Sequence, residues 1–88
     1  MNLANCTPQR ALASTQYCLA DPGREYVVYL PAGGKVTVDL SSAKEALAVE
    51  WINPQNGRRT EAPPVAGQRR REFTAPFTGD AVLYLFVP

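Results

Sequence analysis

The sequence predicts an all-β fold, a single small antiparallel β-sandwich of about seven or eight short strands, and three observations predict it. Eight prolines and six glycines are spread through 88 residues, too many for helices of ordinary length and well suited to turns. Between them apolar and polar residues alternate at period two, as in Lys35-Val36-Thr37-Val38-Asp39-Leu40. The turn signals recur at about 8 to 12 residues, the spacing of sandwich strands. A chain of this length buries roughly 60 to 70% of its unfolded surface only if it builds one core, so one domain is expected. Hydrophobic residues at 45% and charged ones at 19% fit a globular domain and not a disordered chain. Ig-like and jelly-roll connections share this pattern, and strand order stays open between them.

Residues 1–9 form a polar lead-in ending at Pro8-Gln9, loosely ordered unless it pairs with a sheet edge, and residues 10–88 form the sandwich. Residues 10–14 (Arg-Ala-Leu-Ala-Ser) and 16–20 (Gln-Tyr-Cys-Leu-Ala) read as two short strands joined tightly at Ser14-Thr15. A helix over residues 11–13 is too short to form alone. Asp21-Pro22-Gly23 is a turn, with proline pre-set for its first corner and glycine for a positive φ at its second. Residues 25–30 (Glu-Tyr-Val-Val-Tyr-Leu) are the clearest strand, and residues 35–40 another. A four-residue loop, Pro31-Ala32-Gly33-Gly34, suggests that these two form a hairpin.

Residues 41–46 allow one capped helical turn, but with no apolar stripe to support it a polar connection is expected. The stretch 47–57 (Leu-Ala-Val-Glu-Trp-Ile-Asn-Pro-Gln-Asn-Gly) begins as a strand with Leu47, Val49 and Trp51 on one side, and it ends in a reversal. Asn53-Pro54 withdraws a ladder donor, and Asn56-Gly57 tolerates positive φ. The shared alternation sends Trp51, the chain's single tryptophan, into the core with Leu47 and Val49 rather than outward as a sugar-stacking platform. From Arg58 a polar edge strand follows, expected to end at Pro63-Pro64. Residues 68–74 and 81–87 are the last strands, with a turn at Thr78-Gly79-Asp80 between them.

Two strands break the rule of one buried face. Tyr26, Val28 and Leu30 oppose Val27 and Tyr29 in one; Leu83, Leu85 and Val87 oppose Val82, Tyr84 and Phe86 in the other. A sandwich covers one face of each sheet, so a second apolar face needs a cover: a partner, a neighbouring domain or the chain's own loops. Val27, Tyr29, Tyr84 and Phe86 are therefore the candidate interaction surface.

Function classes can be narrowed from composition. The chain has no histidine, which excludes Ser-His and Cys-His nucleophile activation and removes the commonest metal ligand. Two cysteines without histidine leave a tetrahedral zinc site short of donors, so no cofactor is expected. Cys6 and Cys18 fit free thiols or one disulfide, the low cysteine count favouring thiols. The eight carboxylates fall in different strands and turns, where alternation and turn chemistry already account for them. A net charge of +1 gives no global attraction to nucleic acid or to an anionic membrane. No apolar run approaches the length of a membrane helix, and no signal peptide is legible. Arg58, Arg59, Arg69, Arg70 and Arg71 are the one concentration of charge. Presented from neighbouring strands they would contact an anionic polymer or a partner carboxylate; otherwise they protect sheet edges from aggregation. No aromatic platform interleaves them, as a nucleic-acid groove would require.

A resemblance enters at the same residues. Tyr17-Cys18-Leu19-Ala20, Glu25 through Pro31, Val36 through Leu40, Trp51-Ile52-Asn53-Pro54 with Gly57, and the closing Asp80 through Leu85 together resemble the family named "Putative collagen-binding domain of a collagenase". The resemblance covers about residues 10–87. It implies a non-catalytic β-sandwich accessory module at the carboxyl end of a bacterial glycoside-hydrolase-like barrel protein. The implied partners are that barrel or another protein, self-association included, or else carbohydrate or collagen bound directly. The implied location is extracellular or periplasmic, as for a secreted hydrolase. Relatives carry an acidic-glycine turn where this chain has Ser14-Thr15, and the barrel is absent here.

Overall fold

In the computed structural model, which describes residues 6–87, eight strands form two antiparallel sheets. They are β1 (Thr7–Pro8), β2 (Cys18–Asp21), β3 (Glu25–Leu30), β4 (Lys35–Asp39), β5 (Leu47–Asn53), β6 (Arg58–Val65), β7 (Arg70–Thr74) and β8 (Ala81–Phe86). Six pair in the order β1-β2-β3-β8-β5-β6, and β4 pairs with β7 as a two-stranded sheet. The core lies between the sheets. Tyr26, Val28, Leu30, Leu83, Leu85 and Trp51 face inward from the large sheet, and Val36, Val38 and Phe73 from the small one.

The amino-terminal elements differ from the sequence reading. Residues 10–14 do not form a strand: Arg10–Leu12 is a single 3-10 turn, closed by the Leu12 amide donating to Gln9 O at 3.1 Å. The following strand begins at Cys18 rather than at Gln16. The two alanines and Leu12 carry no β-branched preference for extension, and the turn tucks Leu12 against the core. Of the lead-in, Thr7–Pro8 pairs with Ala20 and Leu19 at the edge of β2; residues 1–5 lie outside the described residues.

The expected hairpin of β3 with β4 does not form. The edge of β3 that would receive β4 is occupied by β8, in an unbroken register from Glu25↔Phe86 to Leu30↔Ala81. The connection instead crosses to the second sheet. Its glycines permit this: Gly33 and Gly34 have φ of 67° and 78°, and a Cβ on Gly33 would lie 2.6 Å from Gly79 O. The β5–β6 reversal is as expected, with the Gly57 amide donating to Asn53 O at 2.8 Å. The prolines do not end β6, however. Pro63 and Pro64 lie within it, where Leu47↔Val65 gives way to Val49↔Ala62 and the ladder shifts register. An edge strand tolerates prolines at such an irregularity because the missing N–H groups serve no neighbour. Residues 41–46 form turns and bends, without a helix.

Candidate functional site

Cross-strand partners share a face, so the ladders of the large sheet define its outer surface row by row. One row runs Tyr29, Val82, Ile52 and Arg59 across β3, β8, β5 and β6. The Tyr29 amide extends that row to Tyr17 by donating to Tyr17 O at 2.9 Å. The next row runs Leu19, Val27, Tyr84, Glu50 and Glu61, and a third Glu25, Phe86 and Ala48. All four residues of the candidate interaction surface, Val27, Tyr29, Tyr84 and Phe86, thus stand on one outer face.

They are not equally open. Tyr29 is 37% exposed, Val27 and Phe86 are half-buried, and Tyr84 is only 7% exposed. Tyr84 lies under its own neighbours: Phe86 stacks on it with ring centroids 4.6 Å apart, and its hydroxyl donates to Glu25 Oε1 at 2.5 Å. The face therefore covers part of itself. Tyr17 and Leu19, 58% and 40% exposed, join Tyr29 as its open apolar residues. Neither was singled out from sequence: Tyr17 was expected inside a strand over residues 16–20 but precedes β2, and the partner of Leu19 is set by the β2–β3 register. The alternation Cys18 in, Leu19 out, Ala20 in was the available signal for Leu19.

At the β1–β2 margin this face dips into an open groove of about 480 Å³, lined by Pro8, Tyr17, Leu19, Val27, Tyr29 and Val82 and by the polar Arg10 and Gln16. Tyr17 and Tyr29 meet edge to face, with centroids 5.8 Å apart and planes at 61°. The Tyr29 hydroxyl donates to Asp80 Oδ2 at 2.9 Å, and this bond to a carboxylate holds the phenol above its ordinary pKa.

The arginines are not brought together. Arg58 and Arg59 begin β6 at the edge of the large sheet, whereas Arg69 precedes β7 and Arg70 and Arg71 begin it in the small sheet. Arg59 Nη1 bonds Glu50 Oε1 at 3.0 Å on the outer face, and Arg71 Nε donates to Ala66 O at 3.1 Å. Arg70 faces Asp39 across the β4–β7 ladder. The Asp39 carboxyl is held below the usual range, first by the Ser41 hydroxyl and amide and less by Arg70. Glu50 and Glu61 oppose each other across β5 and β6, with Glu50 committed to Arg59. Among the described residues no three His, Cys, Asp or Glu side chains are placed to hold a metal ion, and no helix is long and apolar enough to cross a membrane. Cys6 and Cys18 are free thiols; burial pushes the Cys18 thiol up to about 11.

The family described as "Putative collagen-binding domain of a collagenase" matches residues 7–85, nearly the whole of this fold. The chain belongs to that family. Two solved structures share the fold of this family member. One, a glycoside hydrolase, matches with a TM-score of 0.76 at 16% identity, over 93% of this chain and 21% of its own. The other, a family 5 glycoside hydrolase from Bacteroides vulgatus, matches with a TM-score of 0.79 at 14% identity, over 98% of this chain and 21% of its own. The domain thus spans about a fifth of the length of these structures. No curated protein matches the chain.

Proposed function

We propose that this domain is a non-catalytic accessory module whose outer sheet face docks against a glycoside-hydrolase-like domain. The observation that carries the reading is the joining of Val27, Tyr29, Val82, Phe86 and Ile52 into one apolar surface on the side of the large sheet away from the core. An apolar sheet face of this kind gains most by being covered. The hydrolase is the favoured cover because the fold recurs as about a fifth of longer hydrolase chains. Charge supports a particular kind of cover: Glu25, Glu50 and Glu61 edge the face over β3, β5 and β6, where Arg59 pairs with Glu50, and Arg10 stands apart at the groove, so the surface covering that part carries an apolar centre and basic residues at its rim. The absence of histidine supports a non-catalytic role.

Light scattering coupled to size exclusion tests the reading on the isolated chain. Unsatisfied by its partner, the face is expected to drive association that reverses on dilution and is abolished by Val27→Asp or Ile52→Asp. A monomer at every concentration that also binds no apolar dye would overturn it.

A second reading, direct binding of a carbohydrate or collagen polymer, is favoured by one observation, the groove beside Tyr17 and Tyr29. The dispersed arginines lend it less support than their clustering in sequence suggests.

A further inference from the structure

We infer that the groove over β2 and β3 is a carbohydrate subsite in which a pyranose ring of an oligosaccharide stacks on Tyr17, with Arg10 and Gln16 meeting its hydroxyls. The inference rests on the polymer-binding reading and deepens it by naming the ligand class and the residues; Val27, Tyr29 and Val82 line the groove and belong to the docking face as well, so a sugar and a docked domain would compete there.

Sugar rings present apolar C–H faces and a polar rim, and a site for them needs an open aromatic face beside hydrogen-bonding side chains. Tyr17 supplies the face. Tyr17 as a residue is 58% exposed, and the edge-to-face contact with Tyr29 occupies at most one of the two sides of its ring. Arg10 and Gln16 supply the rim: both line the groove, and neither side chain has a hydrogen bond or ion pair within the described residues. The groove's volume of about 480 Å³ lies in the range of about 300 to 1,000 Å³ usual for small-molecule sites. A collagen triple helix is a rod of three chains and calls for a long trough instead.

The aromatic pair is also held ready. The Tyr29 amide fixes Tyr17 O at 2.9 Å, and Asp80 fixes the Tyr29 hydroxyl. The turn before Tyr17 is pinned to β4 from both sides, the Ser14 amide donating to Thr37 O at 2.9 Å and the Thr37 amide to Ser14 Oγ at 3.0 Å. Within that turn Gln16 has a φ of 66°, a left-handed conformation that a glycine would adopt without strain. Backbone strain of this sort concentrates where a side chain is held for a ligand. Asp80 acts here as a positioning residue.

The test is amide NMR titration of the 88-residue chain with cellohexaose, xylohexaose and mannohexaose, each at millimolar concentration, and separately with a triple-helical collagen peptide. Saturable shifts at Tyr17, Leu19 and Tyr29 with at least one oligosaccharide are expected. Tyr17→Ala is expected to weaken binding roughly tenfold, and Tyr17→Phe to restore it. Gln16→Gly is expected to raise the unfolding midpoint while weakening binding, a pairing that a purely structural residue would not give. Oligosaccharide binding unchanged by Tyr17→Ala would overturn the site and leave the polymer reading standing. Shifts at these amides with the collagen peptide alone would overturn the ligand class. No shift with any probe would overturn both.

Discussion

The Tyr84 hydroxyl donates to Glu25 Oε1 at 2.5 Å diagonally across the β3–β8 ladder, in which Tyr84 pairs with Val27 and Glu25 with Phe86. This bond, with Phe86 stacked on the same ring, keeps a tyrosine of the outer face 7% exposed without placing it in the core. Tyr84→Phe keeps the stacking and removes the bond, and is expected to lower stability by about 1 kcal/mol, measured by chemical denaturation. A Tyr84→Phe domain as stable as the parent would mean that packing alone holds the ring.

Trp51 and Ile52 are neighbours in sequence on opposite faces of β5. Trp51 is 3% exposed in the core, whereas Ile52 is half-buried on the outer face. Trp51→Ala is expected to cost about 3 to 5 kcal/mol through the cavity it leaves, and Ile52→Ala about 1 kcal/mol or less. Urea unfolding of the two variants checks the contrast, which reverses if the sheet faces are assigned the wrong way round.

Two glycines separate conformational from steric need. Gly57 has a φ of 71° with nothing within 4 Å of an added Cβ, whereas a Cβ on Gly67 would lie 2.4 Å from Ala43 O and 2.7 Å from Ala43 Cβ. Gly57→Ala is expected to cost about 1 kcal/mol from the left-handed backbone alone, and Gly67→Ala about 3 kcal/mol, because backbone must move. Thermal midpoints rank the two.

The bond from Tyr29 to Asp80 stabilises the protonated phenol and raises its pKa. Asp80→Asn removes the carboxylate, so Tyr29 is expected to ionise at lower pH in the variant. Spectroscopic titration of phenolate in a background with the other tyrosines changed to phenylalanine reads the difference. An unmoved titration would place Tyr29 away from Asp80 in solution.

Cys18 is buried, and its thiol pKa is pushed from 9.0 to about 11 by desolvation first and by Cys6 second. The folded state therefore binds this proton more tightly than the unfolded chain does. Its contribution to stability is complete below pH 9 and is lost as pH rises towards 11. Alkaline unfolding of Cys18→Ala is expected to be less steep over that interval, and Cys6 is expected to react with a thiol reagent before Cys18.

Local pattern determined much of this protein from the sequence alone. The alternation of Leu47, Val49 and Trp51 identified a strand and its buried side, and Asn53 through Gly57 identified the reversal after it, because period and turn chemistry are properties of adjacent residues. The two-sided apolar strands β3 and β8 were legible too, and they are the two central neighbours of the large sheet. Which strands pair was decided by tertiary structure. The loop at residues 31–34 suits a hairpin locally, but β8 takes the edge of β3 because that pairing joins two apolar strands over six residues and sends β4 across the core. Residues 10–14 likewise became a 3-10 turn once Leu12 had a core to meet. The groove between Tyr17 and Tyr29 exists only through β2–β3 register, and the arginines separate because β6 and β7 belong to different sheets. Contacts between residues distant in sequence are set by which surfaces bury together, and that is a property of the whole chain.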